Sequence, residues 1–518
     1  MSRTVWPVVG ERGRDIERRV ADPLIRTARL VSGEHGRDIE RGVCRPFNWT
    51  VGSAGAGGLE RIVSTASLSK DFTKGNIVWQ LLLFTLPFMA SNALQVLYST
   101  VDMVIVGKFV GTPGLSAVSQ SSQILSFATM VCLGFSNAGQ VLISQALGAG
   151  KRREINEIIG TLFCLILGLG LLLSCVILLA RPWIINVMHI PAESRDMAAD
   201  YMIICGGGLV FTAGYNLVSA ALRGMGDSRR PFLFIGIASA VNLVLDILFT
   251  GILGFGVAGA AWATIIGQAV SFLFSLCFLY RNREAFGFDF KPESFVPCKK
   301  YVRMIAELGT PMAIQSGCIN LSMLYVNAMV NNVGVVASAT FGVGVRIDDI
   351  VNKISQGLQF AAMPMISQNI AAREQKRARQ VVLYVWLFAF VLTVFFMALY
   401  VVFGRQLFML FSDDVAVHDL SGTFIRAILW MFPALTVMRG SNAFVQGIGN
   451  AKLSMVLSLL DGVVLRIGLS WLFGIVLDWG FYGFVLGYGL APYGCAVPGM
   501  LYFLSGVWQR RKVLAEDI

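Results

Sequence analysis

The stretch VLISQALGAGKRREI, residues 141–155, runs from an apolar segment into a cluster of basic residues, and the chain repeats this arrangement later. PMISQNIAAREQKRA, residues 364–378, has the same order and places Gln368 where the first copy has Gln145. The second copy begins 223 residues after the first (364 against 141). An apolar segment that ends in basic residues, present twice at this distance, indicates that the chain consists of two related halves.

A second pair of segments supports the same repeat. LRGMGDSRRP at 222–231 resembles VQGIGNAKLS at 445–454, and Gly224 stands opposite Gly447. The offset is again 223 residues (445 against 222), and both copies follow an apolar block. The two halves therefore have the same orientation. Parallel repeats of this kind are found in secondary transporters, whose substrate site lies near the membrane midplane between the repeats.

The composition is that of a membrane protein: 55% of the 518 residues are hydrophobic and only 14% are charged, against about 25% charged residues in soluble domains. The apolar blocks reach the roughly 20 residues that a helix needs to span a bilayer. We therefore expect an all-α polytopic membrane protein with about twelve transmembrane helices in two parallel-repeat six-helix bundles. The expected spans are 78–107, 115–147, 155–180, 197–222, 231–253, 257–280, 301–330, 335–370, 379–403, 417–446, 453–477 and 481–507.

The repeat and the charge distribution divide the chain into five expected regions. They are a polar N-terminal extension (1–75), a first six-helix bundle (76–283), a cytoplasmic connector (284–300), a second six-helix bundle (301–508) and a cytoplasmic tail (509–518). The extension lacks the apolar core of a secretory signal. Two explanations stand for it: a disordered tail, or an over-extended gene start ahead of SLSKDFTKGNI at 67–77.

The net charge of +11 comes largely from Lys and Arg in alternate loops, such as KRR at 151–153 and REQKRAR at 373–379. The positive-inside rule then places both termini in the cytoplasm of a multi-pass protein of the inner cell membrane. This distribution explains the charge without a nucleic-acid partner. The nine cysteines have no metal-ligand spacing, and the three histidines lie outside the apolar blocks. We therefore expect neither an enzyme nor a cofactor.

Four polar residues within three apolar spans of the first half form the first candidate site: Asp102, Asn242, Asp246 and Thr264. At 1.5 Å per residue, Asp102, Asp246 and Thr264 lie roughly 10 Å from the external ends of their spans. The second half has no equivalent set, and intramembrane carboxylates are functional by default. The alternative is an interhelical hydrogen bond with a structural role, worth about 0.6 kcal/mol.

The segment VRIDDIVNK at 345–353 forms a second cluster, in which Asp349 lies three residues after Arg346 and four before Lys353. These spacings allow ion pairs along one helix face, and Asp461 and Arg466 could join them. A structural network and a cavity wall are both compatible with this pattern. The expected cavity-lining residues are Gln123, Gln315, Asn320, Arg346, Asp348 and Asp349.

Residues 70–508 resemble the multidrug and toxic compound extrusion (MATE) transporters in LYSTVDMVIVGKFVG, ALRGMGDSRRP, VNLVLDILFTGILGFGVAGAAWAT and RIDDIVNKISQGLQFAAMPMISQNIAA. The resemblance implies two six-helix bundles in a V that alternate between outward-open and inward-open states. It implies a monomeric antiporter in the lipid bilayer that expels cationic or amphipathic drugs or toxic compounds in exchange for inward H⁺ or Na⁺. No metal other than Na⁺ at the coupling site is implied.

Within this group the chain resembles the DinF-like branch, which implies an ion site in the first bundle at Asp102, Asn242, Asp246 and Thr264. The NorM-type branch instead uses a carboxylate in the seventh helix, where this chain has only amides and small residues, TPMAIQSGCINLS at 310–322. A flippase for lipid-linked oligosaccharide or another lipid is the alternative function. Several basic residues support that alternative: Arg346, Lys353, Arg426, Arg439 and Arg466.

Overall fold

The computed structural model describes residues 70–188, 190–412 and 414–518. The described residues belong to one compact unit. The expectations for the polar extension and for a start at Ser67 therefore lie outside the described residues, apart from 70–75.

The first half contains seven long helices. They are α1 (Ile77–Phe109), α2 (Thr112–Gly148), α3 (Arg152–Val187), α4 (Arg195–Gly207), α5 (Leu209–Gly224), α6 (Arg229–Ile252) and α7 (Gly256–Arg281). Helix α6 is α-helical as far as Asp246 and ends in π-helical turns at Ile247–Ile252. A connector with short helices at Arg283–Phe286 and Pro292–Phe295 leads to the second half.

The second half repeats this order. Its helices are α8 (Lys299–Asn331), α9 (Val335–Ala371), α10 (Gln375–Met409), α11 (Val415–Ile428), α12 (Met431–Gly447), α13 (Ala451–Val476) and α14 (Gly480–Ser505). The bent pair α4–α5 turns by 42° and the pair α11–α12 by 48°. Helix α13 also ends in π-helical turns, at Leu472–Val476. Both halves therefore have a bent helix pair at the corresponding position, as expected from the sequence repeat.

The prediction of an all-α polytopic membrane protein is confirmed. In the part of the chain that the structure describes, eight helices are long and apolar enough to cross a membrane, or ten if each bent pair is one span. Helices α8 and α9 have 33 and 37 residues but carry amide and charged side chains along their length. With these two helices the structure would have the twelve expected spans. Their composition is more polar than that of the other spans, so the count of twelve stays a prediction.

The two halves meet through α1 and α2 on one side and α8 and α9 on the other. Small residues bring these helices together. A Cβ on Gly134 would lie 2.8 Å from the amide nitrogen of Ala313, and one on Gly357 would lie 3.0 Å from Cα of Met89. Backbones can approach this closely only where there is no side chain, as is common where membrane helices pack.

Polar contacts join the halves at the end where the basic loops lie. Gln145 donates from Nε2 to the carbonyl oxygen of Gly447 at 3.0 Å, and Gln140 donates to that of Phe360 at 3.1 Å. A Cβ on Gly148 would lie 2.3 Å from the carbonyl oxygen of Gln368. The halves are therefore in direct contact here, and the space between them is closed at this end.

The last residues of the chain contact the same end of both halves. Lys151 at the start of α3 donates to the carbonyl oxygen of Ala515 at 2.9 Å, and Arg373 after α9 pairs with Glu516 at 2.9 Å. The segment that follows α14 thus bridges loops of the first and second halves.

Candidate functional site

Two carboxylates lie buried within the long helices of the first half. Asp102 of α1 is 8% exposed and Asp246 of α6 is 1% exposed, and the two are close enough for their charges to repel each other. Neither forms an ion pair with any residue that the structure describes. Two like charges at this depth raise the free energy of the protein unless a proton or cation neutralises one of them.

The two other residues of the predicted site, Asn242 and Thr264, line one pocket. A narrow pocket between α1, α6 and α7 is lined by Asn242 and Thr264 together with Tyr98 and Gln268. Asn242 is one turn before Asp246 on α6, and Tyr98 is one turn before Asp102 on α1. The structure therefore places Asn242 and Thr264 in one pocket, and Asn242 and Tyr98 each lie one helical turn from a buried carboxylate. We refer to Asp102, Asn242, Asp246 and Thr264 as the acid site.

Several polar atoms of the acid site have no partner. Oδ1 of Asp102, Oδ1 of Asp246 and Nδ2 of Asn242 are buried without a hydrogen bond. A buried polar atom in this condition costs about 1–3 kcal/mol, and more when it is charged. A proton on one carboxylate would supply a donor, and a hard cation such as Na⁺ would take the carboxylate oxygens as ligands. The donor set fits either ion.

A larger cavity of about 430 Å³ lies between the halves, a volume typical of small-molecule sites. Its wall is built from α2, α8, α9, α12 and α13, with Tyr488 of α14. The expected cavity residues Gln315, Asn320 and Asp349 lie in this wall. We call this space the central cavity. The second half supplies most of its wall.

Three of the expected cavity residues lie outside the wall. On α9 the wall residues include Val345 and Asp349, which share one helix face, whereas Arg346 and Asp348 lie beyond the two edges of that face. A helix rotates by about 100° per residue, so a neighbour in sequence points elsewhere. Gln123 lies on the face of α2 that carries Met130 but two turns before it, and its side chain is exposed.

Asp348 has a partner of its own. Its side chain is fully buried behind the cavity wall, and Tyr400 of α10 donates a hydrogen bond to its Oδ1 at 2.6 Å. This contact ties α9 to α10. Asp348 is therefore a member of an interhelical network and not a wall residue, which corrects the expectation from the sequence.

The charged residues of the wall form two ion pairs. Asp349 pairs with Lys353, 3.2 Å away and one turn along α9, and both side chains are half exposed. Asp461 pairs with Arg466 at 2.9 Å, and both are buried in α13. The two pairs are separate, so Asp461 and Arg466 do not neutralise the cluster on α9. Arg346 is exposed and is not the partner of Asp349.

A fifth charged residue, Arg439 of α12, is held by neutral groups. It is 4% exposed and donates to Oδ1 of Asn352 at 2.7 Å, to the carbonyl oxygen of Asn352 at 3.3 Å and to Oε1 of Gln359 at 3.4 Å. Gln359 in turn donates to Gln446, which donates to Gln315 of α8. A chain of amides thus runs along the wall from Arg439 towards the first half.

The sequence model of the MatE family matches the chain twice, at residues 87–248 and 311–472. The chain belongs to the MatE family. The second match starts 224 residues after the first (311 against 87), which agrees with the repeat seen in the sequence. The resemblance to MATE transporters is thereby confirmed, and the members of this family are membrane transporters and not enzymes. The assignment to the DinF-like branch stays a prediction.

Relatives of this MatE-family chain have names that describe drug resistance. It is 29% identical over 448 residues to the probable multidrug resistance protein YpnP of Bacillus subtilis, covering 86% of this chain and 99% of YpnP. It is 23% identical over 399 residues to the multidrug export protein MepA of Staphylococcus haemolyticus, covering 76% and 86% of the two chains. These alignments span both halves of the chain.

Solved structures share the fold. An outward-facing MATE transporter of the MOP superfamily superposes with a TM-score of 0.81 at 22% identity, covering 86% of this chain and 99% of the other. A MOP superfamily transporter from Pyrococcus furiosus, whose title describes a binding pocket of reverse polarity, gives the same TM-score and coverage. At this identity the likeness establishes the fold of this MatE-family chain.

Sequence reasoning missed other residues near the acid site. Cys205 of α4 is buried and lies within electrostatic reach of both Asp102 and Asp246, and Tyr201, one turn earlier, lies within reach of Asp102. Tyr98 could have been found, because it precedes Asp102 by four residues and so shares its helix face. Tyr201 and Cys205 could not have been found from the sequence, because their proximity to the carboxylates depends on how α4 packs against the other helices.

Proposed function

We propose that the protein is a secondary active multidrug efflux antiporter, which expels cationic or amphipathic small molecules in exchange for inward H⁺ or Na⁺. The observation that carries the proposal is the buried pair Asp102 and Asp246, in which Oδ1 of each carboxylate lacks a hydrogen-bond partner and neither carboxylate has a cationic partner in the described part of the chain. A substrate-sized cavity in a different part of the protein supports it. The substrate class is supported by relatives named as multidrug resistance and multidrug export proteins.

The coupling follows from the electrostatics of the acid site. With both Asp102 and Asp246 ionised, the site favours any conformation that admits water or a cation. Binding of H⁺ or Na⁺ removes the repulsion and so changes the relative free energies of the two conformations, which shifts the population between them. The ion and the substrate then compete through the conformational equilibrium without sharing a binding site.

The sidedness of this cycle follows from the basic loops. The positive-inside rule assigns loops such as 151–153 and 373–379 to the cytoplasm, and this is the end at which Gln145 and Gly447 join the halves. We therefore take the arrangement to be the outward-facing state of a multi-pass protein of the cell membrane. In this state the acid site would load its ion from the external side.

Transport by the purified protein in liposomes tests the proposal. Ethidium, a fluorescent cation, is measured under an imposed proton gradient, an imposed sodium gradient and no gradient. The proposal predicts uphill ethidium movement with one of the two gradients and none without a gradient. Drug susceptibility of a pump-deficient bacterial host that expresses the protein provides the matching cellular measurement. Ethidium movement that is equal with and without gradients would contradict antiport.

A lipid flippase is the second candidate, because Lys353, Arg439 and Arg466 place three cations in the cavity wall. The same liposomes separate the two functions when a fluorescent phospholipid replaces ethidium. Protein-dependent lipid movement across the bilayer, without gradient-driven ethidium transport, would favour the flippase.

A further inference from the structure

Arg439 is a buried cation without an anionic partner. Its three hydrogen bonds all go to neutral acceptors, on Asn352 and Gln359, and it forms no ion pair with any residue in the described part of the chain. A guanidinium has five N–H donors, so at least two of them lack an acceptor, and the buried Nε is one of these. Burial of such a charge is costly unless an anion compensates it.

The carboxylates of the cavity wall do not supply that anion. Asp461 interacts with Arg439 at longer range, but its carboxylate is bonded to Arg466 at 2.9 Å. Asp349 is paired with Lys353 at 3.2 Å. The charged groups of the wall are thus three cations and two carboxylates, and both carboxylates are already paired. One cation is left over, and Arg439 is that cation.

The rest of the wall is apolar and adaptable. Methionine thioethers are flexible and polarisable, so they fit apolar ligands of different shapes. The methionines in the wall come from both halves: Met130, Met312, Met323, Met431 and Met438. A ligand for this space therefore combines an apolar body with a group that compensates the charge of Arg439.

We propose that the central cavity binds amphipathic molecules through an anionic group, a carboxylate or a phosphate, held by Arg439 with Lys353 as the second cation. Zwitterionic drugs belong to this class, since Asp349 can accept their cationic group once Lys353 turns to the anion. The proposal rests on the proposed transport function and narrows its substrate class. A free carboxylate drug and an anionic lipid headgroup share this chemistry.

Matched ligand pairs test the proposal on the full-length protein in detergent. The first pair is a zwitterionic fluoroquinolone and its methyl ester, which lacks the carboxylate. The second pair is a short-chain phosphatidylglycerol and the diacylglycerol with the same chains, which lacks the phosphate. Calorimetric titration gives a Kd for each. We expect the acid of at least one pair to bind about tenfold more tightly than its partner, as for a hydrogen bond to a charged group.

The variants assign the preference to the wall cations. Arg439→Gln should remove the preference for the acid. Lys353→Gln should reduce the preference for the acid. Because the Lys353 side chain is 41% exposed, this variant should fold like the wild type. Asp349→Asn releases Lys353 and should strengthen the preference. A purely structural role of Arg439 would change thermal stability and leave the ratio of acid to ester affinity unaltered.

The two ligand pairs distinguish a drug carboxylate from a lipid phosphate as the ligand group. A preference in the fluoroquinolone pair identifies a drug carboxylate as the ligand group, and one in the lipid pair identifies a headgroup phosphate. Equal affinities within both pairs for the wild type would overturn the proposal, as would an unchanged preference in both Arg439→Gln and Lys353→Gln. These titrations use no ion gradient. Failure of gradient-driven ethidium transport would therefore overturn antiport of cations and leave the binding preference standing.

Discussion

The buried ion pair of the cavity wall offers a test of how much charge compensation contributes to stability. Asp461 and Arg466 expose 3% and 7% of their side chains and lie 2.9 Å apart. Asp461→Asn keeps the shape of the side chain but leaves Arg466 as the second buried cation of the cavity wall, after Arg439, without an anionic partner. Removing one partner of a buried pair costs about 3–5 kcal/mol, because the remaining charge has lost its counter-ion.

The same wall contains a matched control. Asp349 and Lys353 form a pair of the same charge types, but their side chains are 59% and 41% exposed. Solvent screens such a pair, so Asp349→Asn should cost less than about 1 kcal/mol. Unfolding in mixed micelles with increasing dodecyl sulfate, followed by circular dichroism, gives both free energies. The double variant Asp461→Asn/Arg466→Met, which carries neither charge, should be less destabilised than Asp461→Asn alone.

Two results would refute this reasoning. Equal destabilisation by Asp461→Asn and Asp349→Asn would mean that burial does not control the strength of these pairs. The single variant Arg466→Met completes the comparison. If the double variant loses as much stability as Asp461→Asn and Arg466→Met lose together, the two charges act independently and Asp461 does not compensate Arg466.

Two further predictions concern the contact between the halves and the acid site. Gly148→Leu should obstruct closure at the basic-loop end, since even a Cβ would lie 2.3 Å from the Gln368 carbonyl oxygen; overpacking of this kind costs about 1–3 kcal/mol in thermal unfolding. Gly168→Leu is the control, because a Cβ there meets nothing within 4 Å, and similar losses in both variants would contradict the assignment. Asp102→Asn should abolish gradient-driven efflux, and adding Asp246→Asn should make it little worse, because the two carboxylates act as one unit. Additive partial defects in transport assays would show two independent sites.

The helices were predictable because their signals are local. The first span was expected at 78–107 and runs over Ile77–Phe109, and the eighth was expected at 335–370 and runs over Val335–Ala371. The bends were not predictable. The fourth span was expected to be continuous over 197–222, whereas it turns by 42° at Gly208. Hydropathy reports the length of an apolar segment and contains no information about its direction.

The proximity of Asp102 and Asp246 could be predicted from the sequence, the lining of the central cavity could be predicted only in part, and the coupling role of the acid site stays a prediction. Depth along three spans was enough to group Asp102 with Asp246, because both lie at similar distances from the external ends of their helices. In the cavity, Asp348 and Asp349 are neighbours in sequence, yet one is bonded to Tyr400 and the other lines the wall. The rotation of α9 about its axis decides between them, and that rotation is set by packing against α10 and α12.

Gradient-driven transport by Asp246→Asn tests the coupling proposal most directly. The asparagine preserves size and is easier to bury than a carboxylate, so the variant should reach the membrane at wild-type levels, but it cannot cycle a proton and removes one charge from a Na⁺ site. Asp349→Asn, which removes a carboxylate from the cavity wall and leaves the acid site intact, is the control. We predict loss of uphill ethidium transport in liposomes for Asp246→Asn and retained ion dependence for Asp349→Asn. Uphill transport by Asp246→Asn at the wild-type rate, with protein amounts matched, would contradict the account.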